Sequence, residues 1–185
     1  MTVGTSLHPD LVAGTWQLDK AHSELSFTVK HLGISKVRGV FHDFDVTIEA
    51  ADELEHSTIR ATIDLASVDT KDANRDGHLK TGDFFKIEEF PTATFTSTSI
   101  AGTPDDFTVA GELTLRGVTK PVTLKGEFGG VNTDGYGNVH AGAEVTTTID
   151  RTAFGVSWNS PLEAGGLLLS NDVTLSFDLQ VILQK

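Results

Sequence analysis

In the stretch from Ser57 to Val68, STIRATIDLASV, Ile59, Ala61, Ile63 and Leu65 fall on one side and Thr58, Arg60, Thr62 and Asp64 on the other. A helix cannot sustain this period of two residues, so the stretch reads as a half-buried strand. The same alternation recurs along most of the chain. Leu25, Phe27 and Val29 share one face of ELSFTV, and Val37, Gly39 and Phe41 are in phase in the next run. Phe107, Val109, Gly111, Leu113 and Leu115 form another inward set. So do Val122, Leu124, Gly126 and Phe128, then Ala143, Val145, Thr147 and Ile149, and finally Val173 to Leu183 at every second position.

The phase slips once inside an otherwise regular run. Phe44, Val46 and Ile48 have the opposite parity to Phe41, and one extra residue near His42 and Asp43 restores them to the same face, which predicts a β-bulge. Turn chemistry at GTPDD, RGVTKP and NTDGYGN separates the runs, and Gly117 with Val118 and Pro121 marks a hairpin. About eight antiparallel strands, each with one apolar face, must bury those faces against one another as a sandwich or as a closed up-and-down barrel; closure removes the exposed edges. Gly39, Ala61, Gly111, Gly126 and Ala143 lie at inward positions. They are expected either to leave interior volume unfilled or to bend strands at barrel corners.

One stretch does not alternate. From Asp72 to Phe95, DANRDGHLKTGDFFKIEEFPTATF, a charged run carries Leu79, Phe84, Phe85 and Phe90 and is followed by Pro91. It reads as a short helix or helical turns lying against the sheet, a candidate lid. Phe84 and Phe85 are neighbours, about 100° apart on a helix. One is expected to anchor the lid in the core and the other to face the mouth of the interior.

Composition sets the outer bounds. A chain of 185 residues suits a single domain, here residues 13–185 after a loosely ordered tail over 1–12. There is no cysteine, which excludes disulfides, thiolate metal sites and a cysteine nucleophile. The net charge of −12 and the scattered cations argue against nucleic acid and anionic membrane surfaces as partners. The opening MTVGTSLHPDLVAG has neither a basic run nor an apolar stretch of signal-peptide length, and no stretch approaches membrane-spanning length. The expectation is a cytoplasmic protein without stable membrane insertion; a homodimer is compatible with it.

No set of residues reads as catalytic. There is no G-x-S-x-G elbow, and no paired carboxylates or cofactor loop can be named. Asp72, Asn74, Asp76 and Gly77 read D-x-N-x-D-G, with Asp83 where a calcium loop places its last ligand. Against calcium, the preceding segment is a strand, Lys80 stands where a ligand usually does, and Asp is shorter than Glu. No metal site is therefore expected, and calcium binding through Asp72 to Asp83 stands as an alternative.

The motifs WQLDKAHS (Trp16, Asp19, His22, Ser23), FTVKHL (Phe27 to Leu32), RDGHLKTGDFF (Arg75 to Phe85), FPTATF (Phe90 to Phe95), GELTLRGVT (Gly111 to Thr119) and DRTAFG (Asp150 to Gly155), in this order, resemble the YceI-like family. The resemblance runs from about Gly14 to the end. It implies an all-β, lipocalin-like antiparallel barrel with a short helical lid. Such a barrel encloses an apolar tunnel for an isoprenoid, isoprenoid quinone or similar lipid-like amphiphile, held without catalysis and without any other cofactor. The expected wall is Phe27, Phe41, Ile63, Leu113, Leu124, Val145 and Leu175, joined by Phe154 from DRTAFG. Leu79, Phe84 and Phe85 are expected at the lid, with Arg75, His78 and His31 donating hydrogen bonds to a polar head. The competing reading is an interaction module whose lid docks a protein partner.

Overall fold

The computed structural model describes residues 11–163 and 165–185. The expected tail lies outside them except for Leu11 and Val12; Leu11 packs against the core and the Val12 carbonyl accepts a hydrogen bond from the Trp16 indole. In chain order the strands are β1 (Gly14–Leu18), β2 (Glu24–His31), β3 (Ser35–Phe41), β4 (Phe44–Ala50), β5 (Thr58–Asp64) and β6 (Val68–Asp69). The helix α1 (Ala73–Leu79) follows. β7 (Thr92–Thr103), β8 (Asp106–Leu115), β9 (Val118–Thr133), β10 (Val139–Asp150) and β11 (Leu169–Leu183) complete the sheet.

All pairings are antiparallel, and the sheet closes on itself. β11 pairs with β10 along one edge. Along its other edge it pairs with β2 through Val173 to Asp178 and with β1 through Val181 to Leu183. β1 and β2 are thus two halves of one bent strand. β3 with β4, and β5 with β6, are two more, because β3 pairs with β2 and β6 while β4 pairs with β1 and β5. Counting each bent pair once gives the eight-stranded up-and-down barrel that the alternation and the resemblance imply.

The phase slip at His42 and Asp43 has a different form from the expected bulge. It is a two-residue break between β3 and β4, with Phe41 and Phe44 both buried. The other two bent strands break beside it, at one-turn 3-10 helices over Lys20–His22 and Leu65–Ser67. The His42 N–H donates to the Ser67 carbonyl at 3.2 Å, and the Asp64 N–H donates to the Asp43 carbonyl at 2.9 Å. Backbone groups released by one break are taken up by the next, so a crease crosses three strands without stranding polar groups inside.

The inward glycines neither leave voids nor turn corners. Phe27 stands opposite Gly39, and Phe107 opposite Gly126. A Cβ built on Gly39 would collide with the Phe27 ring, one on Gly126 with the Phe107 ring, and one on Gly111 with the Phe95 ring. Each glycine is the slot that lets an aromatic ring lie flat along the wall instead of projecting across the lumen. The expectation of unfilled volume at these positions is corrected: the rings occupy it, and the space they vacate is the centre of the barrel.

At the β8–β9 hairpin, Arg116 and Gly117 both have positive φ (51° and 72°) between the paired Leu115 and Val118, a two-residue turn of the type that matches strand twist. At the opposite end of the barrel, the β9–β10 turn is organised by Asp134. Its carboxylate accepts from the N–H groups of Tyr136 and Asn138 and faces His140 Nε2 at 2.8 Å. The bond to His140, then that from the Asn138 N–H, holds the Asp134 carboxyl well below the usual carboxylate range.

Two outcomes follow from these contacts. Gly111→Ala sets Cβ 2.5 Å from the Thr96 carbonyl oxygen, which is backbone and cannot yield. It should cost about 1–3 kcal/mol as overpacking, more than Gly126→Ala, whose nearest atoms all belong to one ring; urea midpoints compare the two. For Asp134 the folded state prefers the charged form, so its contribution is present above the unfolded pKa of about 4 and is lost as pH falls below it. The melting-temperature gap between wild type and Asp134→Asn should therefore be widest near neutrality and shrink in acid.

Candidate ligand cavity

Two apolar cavities lie end to end inside the barrel. The lid-side cavity has a volume of about 270 Å³ and the deep one about 120 Å³. Both are lined by Ile63, Leu113 and Leu175, which form the waist between them. Leu124 and Val145 line the deep cavity, together with Phe95 and Phe107 lying over their glycines. Trp16, fully buried with Ala50, Ala141 and Val181, plugs the far end. The polar groups on the deep wall are few, Ser57 and Thr147 among them.

The lid-side cavity is different in kind. Phe27, Phe41, Leu79, Phe84 and Phe85 line it, as do His31, Arg75 and His78. Of the residues expected from the sequence, only Phe154 lines neither cavity. It ends the 3-10 helix Arg151–Phe154, and with 2% of its surface exposed it is core packing. The turn reverses the chain at once after β10, so the ring is taken up where the turn meets the sheet and never reaches the lumen.

The lid is shorter than the non-alternating stretch. α1 stops at Leu79, and Phe84 and Phe85 sit together in a turn beyond it, so a helical projection does not describe them. They still differ. Phe84 is buried against His78 and Trp158, with ring centroids 5.0 and 5.4 Å away, whereas Phe85 is half-buried and meets Phe41 at 6.0 Å. His78 also stands edge-on to Trp158 at 4.9 Å. These rings roof the cavity. The roof is held from the hairpin by Arg116, whose Nη1 donates to the carbonyls of Gly82 and Phe84, each at 2.6 Å.

Most of the expected head-group donors already have partners. Arg75 gives Nε to Thr70 Oγ1 at 2.8 Å and Nη2 to the Thr70 carbonyl at 2.7 Å, which staples α1 to the end of β6. His78 Nε2 lies 2.8 Å from Asp83 Oδ2. The same bonds account for the calcium-like letters. Asp72 caps α1 by accepting from the N–H groups of Asn74 and Arg75, Asp76 accepts from Thr70, and Asp83 pairs with His78. Among the described residues, Glu53, Glu55 and His56, close together on an exposed turn, are the only three side chains near enough to share a cation.

Among the cavity residues that escaped the expected site, Trp158 and Arg151 stand out. Trp158 lies in the irregular segment before β11 and carries no period to read. Arg151 was visible as part of DRTAFG, yet nothing in the letters marks it as buried. It is 4% exposed and lines the lid-side cavity. No Asp or Glu lines either cavity among the described residues.

A family model described as the YceI-like domain matches residues 16–181. The chain belongs to the YceI-like family. A UPF0312 protein of Staphylococcus aureus is 42% identical over 158 residues, covering 84% of this chain and 90% of its own. The Campylobacter jejuni YCEI protein is 32% identical with a TM-score of 0.73, covering 91% of this chain and 97% of that one. Burkholderia cenocepacia BcnA is 25% identical at a TM-score of 0.75, over 88% and 98% of the two chains. A polyisoprenoid binding domain from Saccharophagus degradans, 19% identical with a TM-score of 0.66 over 91% and 98%, shares the fold. In this YceI-like chain no described helix is long and apolar enough to cross a membrane.

The unequal burial of the paired phenylalanines makes a direct expectation. Phe84→Ala should cost about 3–5 kcal/mol, as a buried aromatic truncation does. Phe85→Ala should destabilise less and chiefly speed release of an alkyl-chain probe from the lid-side cavity. Unfolding midpoints and probe off-rates for both variants test this, and equal destabilisation with unchanged off-rates would contradict the roles given to the two rings.

Proposed function

We propose that this protein binds a long-chain isoprenoid, isoprenoid quinone or similar amphiphile and performs no chemistry on it. The chain of the ligand occupies the deep cavity and passes the waist, and its polar head lies under the lid. The observation that carries the reading is the pair of apolar cavities that share Ile63, Leu113 and Leu175 in their walls within a closed barrel. Family membership supports it, as does the fold shared with a domain named for polyisoprenoid binding.

The energetics suit an extended chain rather than a compact molecule. Each methylene moved from water into the barrel contributes about 0.8 kcal/mol, so ten carbons supply roughly 8 kcal/mol before ordering costs. Phe95 and Phe107, lying over Gly111 and Gly126, line the deep cavity that such a chain would enter. Binding alone needs this apolar wall and a few polar groups at one end, whereas catalysis needs a nucleophile or an acid and base poised over a reacting atom. Of the polar side chains lining the lid-side cavity, Arg75 is bonded to Thr70 and His78 to Asp83.

Gently purified protein, extracted with organic solvent and examined by mass spectrometry, should yield an apolar chain carrying one polar end. Bare polypeptide that also fails to take up alkyl-chain probes would overturn the proposal. Val145→Phe, which fills the deep cavity from its wall, should cost about 1–3 kcal/mol of stability and shift the preferred probes to shorter chains.

A further inference from the structure

Arg151 carries a cost that the rest of the fold does not offset. Nε donates to the Ser170 carbonyl at 2.9 Å, and Nη1 donates to the carbonyls of Val156 and Trp158 at 2.8 and 2.9 Å. These bonds bind the segment between the 3-10 turn and β11 to the barrel. Nη2 is buried and is the one buried side-chain polar atom without a hydrogen-bond partner among the described residues. A buried donor left unmade is expensive, and more so when it carries charge.

The charge of Arg151 is answered only by the field of Asp150, with no ion pair. Asp150 is adjacent in sequence, but its Oδ1 accepts from the N–H and Oγ1 of Thr152 at 2.9 and 2.5 Å, and its side chain is exposed. Arg151 has no ion pair among the described residues. Backbone carbonyls supply dipoles but no counter-charge. An arginine needed only to hold a loop would be complete with its carbonyls and could leave its last nitrogen in water. This one turns it away from water, in a residue that forms part of the wall of the lid-side cavity. The cavity's other cation, Arg75, is exposed, has two of its nitrogens bonded to Thr70, and does not compete for the role.

We propose that Arg151 Nη2 anchors an anionic oxygen of the bound amphiphile, a carboxylate or a phosphate monoester, inside the lid-side cavity. This rests on the barrel's binding an amphiphile and narrows the class of its head group. The anion completes the guanidinium's hydrogen bonds and its charge in one contact, a geometry for which arginine is better shaped than lysine. The net charge of −12 makes the outer surface a poor match for an acidic ligand, whereas the wall of the lid-side cavity carries Arg75 and Arg151 and no carboxylate among the described residues.

The test compares dodecanoate, dodecyl phosphate and dodecanol, which share one alkyl chain, in competition for a fluorescent alkyl probe. Wild type should bind at least one of the two anions about ten-fold to a hundred-fold more tightly than the alcohol. The tighter anion names the head group. Arg151→Lys should abolish most of that preference, read as the ratio of anion affinity to dodecanol affinity within the same variant. Equal binding of the three by wild type overturns the anchor and leaves the tunnel reading intact. Failure of all three to bind removes the tunnel reading and the anchor with it. A preference that survives Arg151→Lys, or that disappears instead in Arg75→Gln, also overturns it. Should Arg151→Lys not fold, the wild-type comparison and Arg75→Gln decide between the same outcomes.

Discussion

Everything in this structure depends on β11 pairing with both halves of the first strand. That pairing turns a meander into a closed surface, removes both edges and creates an inside. A closed barrel of eight strands is close to the size at which side chains fill the lumen, with little to spare for a ligand. The interior is therefore a competition between packing and space. Packing dominates at the far end, where Trp16 is sealed among Ala50, Ala141 and Val181. Space is retained along the axis because aromatic rings lie over glycines rather than against one another across the barrel.

The same economy shapes the two ends. At the far end, short hairpins and the Asp134 and His140 contact close the sheet with local hydrogen bonds. At the lid end the barrel opens, and the cover is built from pieces that cannot stand alone: a seven-residue helix, a series of turns, and the segment that carries Trp158. An isolated helix of this length has no stability of its own in water. It exists because Arg75 and Asp76 tie it to Thr70, and because Arg116 holds the turns that follow. A cover assembled from such ties has a lower cost of local opening than the strands beneath it, as the proposed entry and release of a long chain requires.

Polarity follows the same axis. The deep wall is almost wholly hydrocarbon, and the cations come in under the lid, where no carboxylate lines the wall among the described residues. An amphiphile has this gradient along its own length. The match between the two gradients gives the cavity a direction, and a tunnel of uniform polarity would have none.

Strand parity was legible in the letters because side chains alternate across a sheet by covalent geometry alone. The inward sets from Phe107 to Leu115 and from Ala143 to Ile149 needed no tertiary knowledge, and the lid announced itself by failing to alternate. The family motifs then chose the barrel over the sandwich. What the letters could not decide were facts about neighbours distant in sequence. Inward glycines read equally as voids or corners until the Phe27, Phe95 and Phe107 rings were seen above them. The slip at His42 read as a bulge until its backbone partners at Asp64 and Ser67 were placed. Phe154 carries the same letter as Phe84, and only the position of a turn excludes it from the lumen. Arg151 is the plainest case: whether a guanidinium is solvated, paired or left with an empty donor depends on what surrounds it, and its surroundings come from a segment that obeys no local period.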